Sequence, residues 1–248
     1  MNKLKLLDLF SGIGGFALAA RWSGFETVAF CEIDQYCQKV LAKHWPQVPI
    51  YADIKTLTRQ GLEKDGISQP DIITGGFPCQ PFSVAGKQRA QDDGRHLWPE
   101  MLRIISELHP AWVIGENVPG IISLALDDCL ADLESQDYET ETFVLPACAV
   151  NAPHRRDRVW ILANSNGERV EANRRSSQTK KAERPSFKAN QCSLSGRPTN
   201  REWESEPSMA RVVHGIPNRV DRIKGLGNAV VPQLVHKLFE IIKQVDLF

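Results

Sequence analysis

Residues 8–20, DLFSGIGGFALAA, set the end of an apolar run, a glycine turn and a small-residue helix in direct succession. LKLLDL (4–9) reads as a short buried strand, FSGIGG as the turn, and residues 15–23 as the helix. Gly12, Gly14 and Gly15 let backbone approach a ligand closely, and the helix N-terminus behind such a turn offers N–H groups. A strand, glycine turn and helix of this kind open a doubly wound α/β fold, which binds ligands beyond the carboxyl ends of its strands. The spacing G-x-G-G differs from the dinucleotide fingerprint G-x-G-x-x-G. Taken alone, the turn suits nicotinamide enzymes and methyltransferases equally.

Downstream, ETVAFCEID (26–34) reads as a second strand ending in acids, and QYCQKVLAKHW (35–45) has helical periodicity. Glu32 stands where an acid binds ribose hydroxyls, or is an ordinary turn acid. Asp53 in YADI (51–54) is a turn acid or an acceptor for an adenine amino group. PDIITGGFP (70–78) and AWVIGENVP (111–119) read as strands, and LWPEMLRIISELHP (97–110) as a helix. GIISLALDDCLADLESQ (120–136) reads as one amphipathic helix and RVWILA (158–163) as a late strand. GLGNAVVPQL (225–234) predicts a glycine turn, and QLVHKLFEIIKQV (233–245) a closing amphipathic helix. Strands alternating with helices predict a parallel sheet covered on both faces. There is no internal repeat.

The 248 residues can bury a sizeable core without a disulfide or metal staple. Thirty basic residues balance thirty acids, so the whole molecule is not built electrostatically for a polyanion. A local basic patch suffices for nucleic acid, however. Between Arg169 and Arg201 nine Lys or Arg face two acids, Glu171 and Glu183, in sequence without a periodic apolar face. That segment reads as a solvated loop or a phosphate-binding one. The six cysteines are scattered with no CxxC pair, which gives no zinc spacing and no disulfide framework. No metal is expected, and most thiols should be core fillers. With no signal-like start and no apolar run of roughly 20 residues, a cytoplasmic location away from membranes is expected.

One thiol stands apart. In GGFPCQPFSVAGKQ (75–88), Cys79 lies at a strand end between prolines that fix the backbone. It could be a filler, half a disulfide, a metal ligand or a nucleophile; fixed placement favours the nucleophile. GENVPG places Glu116 and Asn117 at another strand end, where a carboxyl in a low-dielectric setting holds its proton and can act as an acid. The alternative is a cap or turn pair. APHRRDRVWILA brings Arg155, Arg156 and Arg158 to the mouth of an apolar strand, and alternation predicts Arg156 and Arg158 on one side.

The order DLFSGIGG, PCQPFS, ENV, RRDR and GNAVVP closely resembles the bacterial and phage DNA cytosine-5 methyltransferases, from Leu7 to about Gln233 apart from the basic middle segment. The resemblance implies a Rossmann-like α/β methyltransferase fold that uses S-adenosylmethionine and releases S-adenosylhomocysteine. It carries cofactor binding onto Phe10, Ser11, Gly12, Gly14, Gly15, Phe16, Glu32, Ile33, Asp53, Ile54, Pro78, Asn228, Ala229 and Val230. It makes Cys79 the nucleophile that adds to carbon 6 of cytosine, Glu116 the carboxyl on ring nitrogen 3, and Arg158, with Arg156 beside it, the arginine on the base carbonyl. The substrate implied is a cytosine flipped out of duplex DNA.

Three features depart from the family. Ile33 stands where an aromatic often follows the ribose-binding acid, His154 stands where Gln is common, and the recognition region is short. The expected organisation is a catalytic part, residues 1–163 completed by 227–248, and a small recognition lobe, residues 164–226. A short basic lobe binds phosphate but offers few side chains to base edges, so a short or relaxed recognition sequence is expected. A separate restriction endonuclease is the expected partner and a monomer the default state. The rivals are an RNA cytosine-5 methyltransferase, an inactive DNA-binding remnant, and a nicotinamide-dependent oxidoreductase, which leaves PCQ unexplained. Amino methyltransferases use a polar-Pro-Pro-aromatic motif that the chain lacks.

Overall fold

The computed structural model describes residues 3–67, 69–78, 97–165 and 219–246. Its strands are β1 (Lys5–Leu9), β2 (Glu26–Cys31), β3 (Ile50–Tyr51), β4 (Ile72–Gly75), β5 (Trp112–Asn117), β6 (Glu139–Pro146) and β7 (Asp157–Asn164). The helices are α1 (Gly15–Trp22), α2 (Gln35–His44), α3 (Arg59–Lys64), α4 (Trp98–Leu108), α5 (Ile121–Leu124), α6 (Leu126–Glu134), α7 (Arg219–Asn228) and α8 (Pro232–Asp246).

Among the described residues the strands form one sheet in the order β3-β2-β1-β4-β5-β7-β6. β1 pairs in parallel with both β2 and β4, so the chain winds outward from β1 and returns to its other side. That reversal opens a crevice beyond the carboxyl ends of β1 and β4, where such sheets hold ligands.

Side-chain alternation sorts the core into two layers. Leu7, Leu9, Ile73, Val113, Val159 and Ile161 pack against α4 and α6 through Met101, Ile104, Ile105, Cys129 and Leu133. Leu6, Ile72, Trp112, Ile114 and Trp160 face α1 and α8 on the opposite side. Helix α8 presents Leu234, Val235, Leu238, Phe239 and Ile242 to this layer, an i, i+1, i+4, i+5, i+8 stripe. Each large side chain buried in this way contributes roughly 1.5–3 kcal/mol. The expected closing helix thus packs back onto the sheet.

The structure corrects three readings. The sheet is mixed, because β7 runs antiparallel to both β5 and β6. β6 escaped notice because it is an edge strand with several exposed positions, polar over ETET (139–142) and apolar only over FVLP (143–146). The single helix expected over residues 120–136 is two, α5 and α6, broken at Ala125. In an unbroken helix Ile121 and Cys129 would point about 80° apart; with the break, both are buried. The glycine turn expected at 225–228 is the last turn of α7. A Cβ at Gly225 would come 3.1 Å from Ile13 Cγ2, so close packing of α7 on the β1–α1 turn outweighs glycine's low helix propensity.

Candidate functional site

A cavity of about 470 Å³ lies in the crevice, within the roughly 300–1,000 Å³ typical of small-molecule sites. Its walls come from the ends of β1, β2, β4 and β5, the turn after β3, Arg158 of β7, and the junction of α7 with α8. Phe10, Ser11, Gly12, Gly15, Phe16, Glu32, Ile33, Asp53, Ile54, Pro78, Asn228, Ala229 and Val230 all line it, as do Glu116 and Arg158.

The turn after β1 is built from left-handed backbone at Phe10, Gly12 and Gly14, with φ of 51°, 54° and 87°. The Ser11 hydroxyl closes it by donating to Asp8 O at 2.6 Å, and Gly14 N–H donates to Ser11 O at 2.9 Å. Gly14 does not line the cavity; it caps α1, and a Cβ there would strike Trp45 Cζ3 at 2.7 Å. Gly15 lies so close to the α7–α8 junction that its Cβ would fall 2.6 Å from Val230 Cγ2.

Glu32 is oriented before any ligand arrives. Gly12 N–H donates to its Oε2 and Asp34 N–H to its Oε1, both at 2.7 Å. A carboxylate held by two amides keeps lone pairs free for two further donors, such as a diol. Asp53 accepts from Lys55 N–H at 2.9 Å through Oδ1. Ile33 is 73% exposed beside Glu32 and, with Ile54, Phe10 and Pro78, gives the cavity apolar walls for a flat ring. This donor set, an oriented carboxylate, a second acid and apolar faces, fits the nucleoside part of S-adenosylmethionine.

At the other end Glu116 ends β5, buried at 8% exposure. Arg158 Nε donates to its Oε1 at 2.8 Å. Burial raises the carboxyl's affinity for its proton, and the charges of Arg158 and Arg156 oppose that rise without cancelling it. Glu116 therefore holds a proton more tightly than an exposed glutamate does, beside a cation. The neighbouring Asn117 amide donates to Phe77 O at 2.9 Å, anchoring the chain two residues before Cys79. Cys79 itself lies outside the described residues, as does the expected recognition region from 166 to 218.

Arg156 and Arg158 have different contacts. Arg156 precedes the strand, with left-handed backbone at φ 40°, so alternation does not govern its side chain. Its guanidinium donates to Gly227 O at 2.6 Å and to Ala229 O at 2.9 Å. Burial, then the like charge of Arg158, eases loss of its proton.

Sequence reasoning missed Lys224, Asp34 and the cavity thiols Cys31 and Cys37. Lys224 Nζ donates to Asp34 Oδ2 at 2.7 Å across the cavity rim, and this bond lowers the Asp34 carboxyl below its usual range. Asp34 also caps α2 by accepting from Tyr36 and Cys37 N–H, and an aspartate just before an amphipathic run was the available signal. Burial foremost, then the Glu32 charge, pushes both thiols up to about 12, which keeps them protonated and poor nucleophiles. Among the described residues no cluster could hold a metal ion, and no helix is long and apolar enough to cross a membrane.

The family model described as C-5 cytosine-specific DNA methylase matches residues 4–211. Type II methyltransferase M.HgiCII of Herpetosiphon aurantiacus is 35% identical over 170 residues, covering 65% of this chain and 37% of the relative. Type II methyltransferase M.AquIA of Picosynechococcus is 32% identical over 181 residues, covering 66% of this chain and 73% of the relative. The crystal structure of a Spodoptera frugiperda DNMT2 mutant superposes with a TM-score of 0.57 at 29% identity, over 66% of this chain and 51% of that one. The match to M.HgiCII thus spans little more than a third of that relative's length.

Proposed function

The chain belongs to the C-5 cytosine-specific DNA methylase family, and from that premise we propose that it transfers a methyl group from S-adenosylmethionine to carbon 5 of cytosine in duplex DNA. The observation that carries this reading is one cavity bounded by an amide-held carboxylate, Glu32, and a buried carboxyl, Glu116, paired with an arginine. A nucleoside cofactor needs the first, and a base to be activated needs the second.

In this reading Glu32 takes the ribose hydroxyls, Asp53 the adenine amino group, and Ile33, Ile54, Phe10 and Pro78 the ring faces. Asn228, Ala229 and Val230 close the remaining wall. When bound, the cofactor supplies an electrophilic methyl. Ring carbon 5 is a weak carbon nucleophile, which covalent catalysis overcomes. The Cys79 thiolate adds to carbon 6 while Glu116 gives its proton to ring nitrogen 3, so that the electron pair of the 5,6 double bond becomes available at carbon 5. Arg158 donates to the base carbonyl and stabilises the carboxylate that Glu116 leaves behind. After methylation, solvent water takes the carbon-5 proton, the double bond re-forms as the thiolate is expelled, and ring nitrogen 3 returns its proton to Glu116. The base reaches this depth only when flipped out of the stack.

The partners we propose are duplex DNA and a separate restriction endonuclease, for a monomeric cytoplasmic protein that releases S-adenosylhomocysteine. Residues 1–163 with 227–248 form the catalytic part, and 164–226 the recognition lobe; α7 runs across that boundary. The test is bisulfite sequencing of DNA from a methylation-free host expressing the protein or Cys79→Ser. Protected cytosines in one context, absent with the variant, are expected. No protection from soluble protein refutes DNA methylation and turns the search to RNA acceptors.

A further inference from the structure

Arg156 stands beside the base-activating pair, yet both of its recorded hydrogen bonds lead away from it. Gly227 O and Ala229 O, which receive its guanidinium, flank Asn228 and belong to the segment that walls the cavity on the cofactor side. Arg158 lines the cavity, whereas Arg156 donates to the segment that forms its wall. From this geometry we infer that Arg156 is a positioning residue that sets cofactor affinity through the backbone of Gly227 and Ala229, and does not contact the base. The inference rests on the cofactor reading above.

Three features support it. Arg156 adopts left-handed backbone, uncommon for a residue with a side chain, and this takes the guanidinium out of the alternation of β7. The carbonyls it meets lie at the carboxyl end of α7, where the helix dipole favours a cation and where bonds to a charged donor are stronger than neutral ones. The wall has no slack: Val230 packs so tightly on Gly15 that not even a methyl group fits between them. Losing the guanidinium therefore lets Asn228–Val230 move away from the glycine turn and opens the cofactor side. A second polar tie on α7, Lys224 to Asp34, joins an exposed lysine and is screened by solvent, so it does not replace the two bonds from Arg156.

The test is calorimetric titration of S-adenosylhomocysteine into wild type, Arg156→Ala, Arg156→Lys and Arg155→Ala, Arg155 being an exposed neighbour paired with Asp157. We expect Arg156→Ala to bind at least tenfold more weakly. Arg156→Lys, which keeps the charge but must reach both carbonyls from a shorter stem, falls between, and Arg155→Ala stays within threefold of wild type. With DNA as acceptor, the KM for S-adenosylmethionine rises in Arg156→Ala by a larger factor than kcat falls. Arg156→Lys carries the test if the alanine variant does not fold. Wild-type affinity in both Arg156 variants, with turnover lost, overturns the inference and returns Arg156 to the base. Equal loss of affinity in Arg155→Ala also overturns it, because the effect is then not specific to Arg156. Wild type that binds no S-adenosylhomocysteine overturns the cofactor reading first, a result distinct from either.

Discussion

The pH dependence of stability should be dominated by one residue that takes no part in the proposed chemistry. Asp8, at 0% exposure, ends β1 on the side facing α1 and α8. The Thr74 hydroxyl donates to its Oδ1 at 2.9 Å, while Oδ2 is buried without a partner. An ionised Asp8 would leave a bare anionic oxygen in the core. Burial accordingly raises the carboxyl from 3.8 to about 8, opposed by the Thr74 bond and the Ala17 N–H and aided by the Glu32 charge. The folded state binds this proton more tightly than the unfolded chain. Its contribution is complete below about pH 3.8 and is lost as pH rises through about 8. At about 1.4 kcal/mol per pH unit the interval sets a ceiling of about 6 kcal/mol. Relaxation and water entry reduce the cost of buried charge, so we expect about 2–4 kcal/mol. Asp8→Asn keeps the acceptor for Thr74 and cannot ionise. Urea unfolding of both proteins from pH 5 to 9, followed by tryptophan fluorescence, isolates the effect, because other titrating groups cancel in the difference. Wild type should lose about 2–4 kcal/mol relative to Asp8→Asn between pH 5 and 8.5. A difference that stays constant with pH would show that Asp8 is not protonated in the fold.

Three substitutions test the cavity. Gly15→Ala drives a Cβ into Val230 Cγ2, so S-adenosylhomocysteine should bind at least tenfold more weakly by calorimetry. Gly14→Ala combines a left-handed backbone with a clash against the Trp45 ring, and a loss of about 2–4 kcal/mol should appear in urea unfolding. Arg158→Ala removes the stronger of the two charges that oppose the upward shift of Glu116, so the carboxyl retains its proton to higher pH. Stability should then fall as pH rises, by up to about 3–5 kcal/mol where Glu116 is forced to ionise unpaired. Unfolding at pH 6 and 8.5, repeated with Glu116→Gln added, measures that loss and its relief.

Much of the catalytic layer was legible because its signals are local. The apolar run 4–9, the glycines at 12 and 14 and the stripe of α8 each act within one turn or strand, and each forms where its chemistry requires. Glu32 and Glu116 were visible as acids at strand ends. β6 was not, because this edge strand is polar over its first half and exposed at several positions. The last turn of α7 was misread because Gly225 answers to Ile13, more than two hundred residues away. Alternation failed for Arg156 because the strand starts one residue later.

Sequence alone determined the alternation of most strands and helices, the residues able to bind a nucleoside or activate a base, and the family they resemble. Those depend on residue type and short-range spacing. Tertiary structure decided the antiparallel β7, the amide cradle of Glu32, the proton held on Asp8, and the separate contacts of Arg156 and Arg158. Each of these arises where distant segments exclude water together, so the energies that set them exist only after the chain has closed on itself.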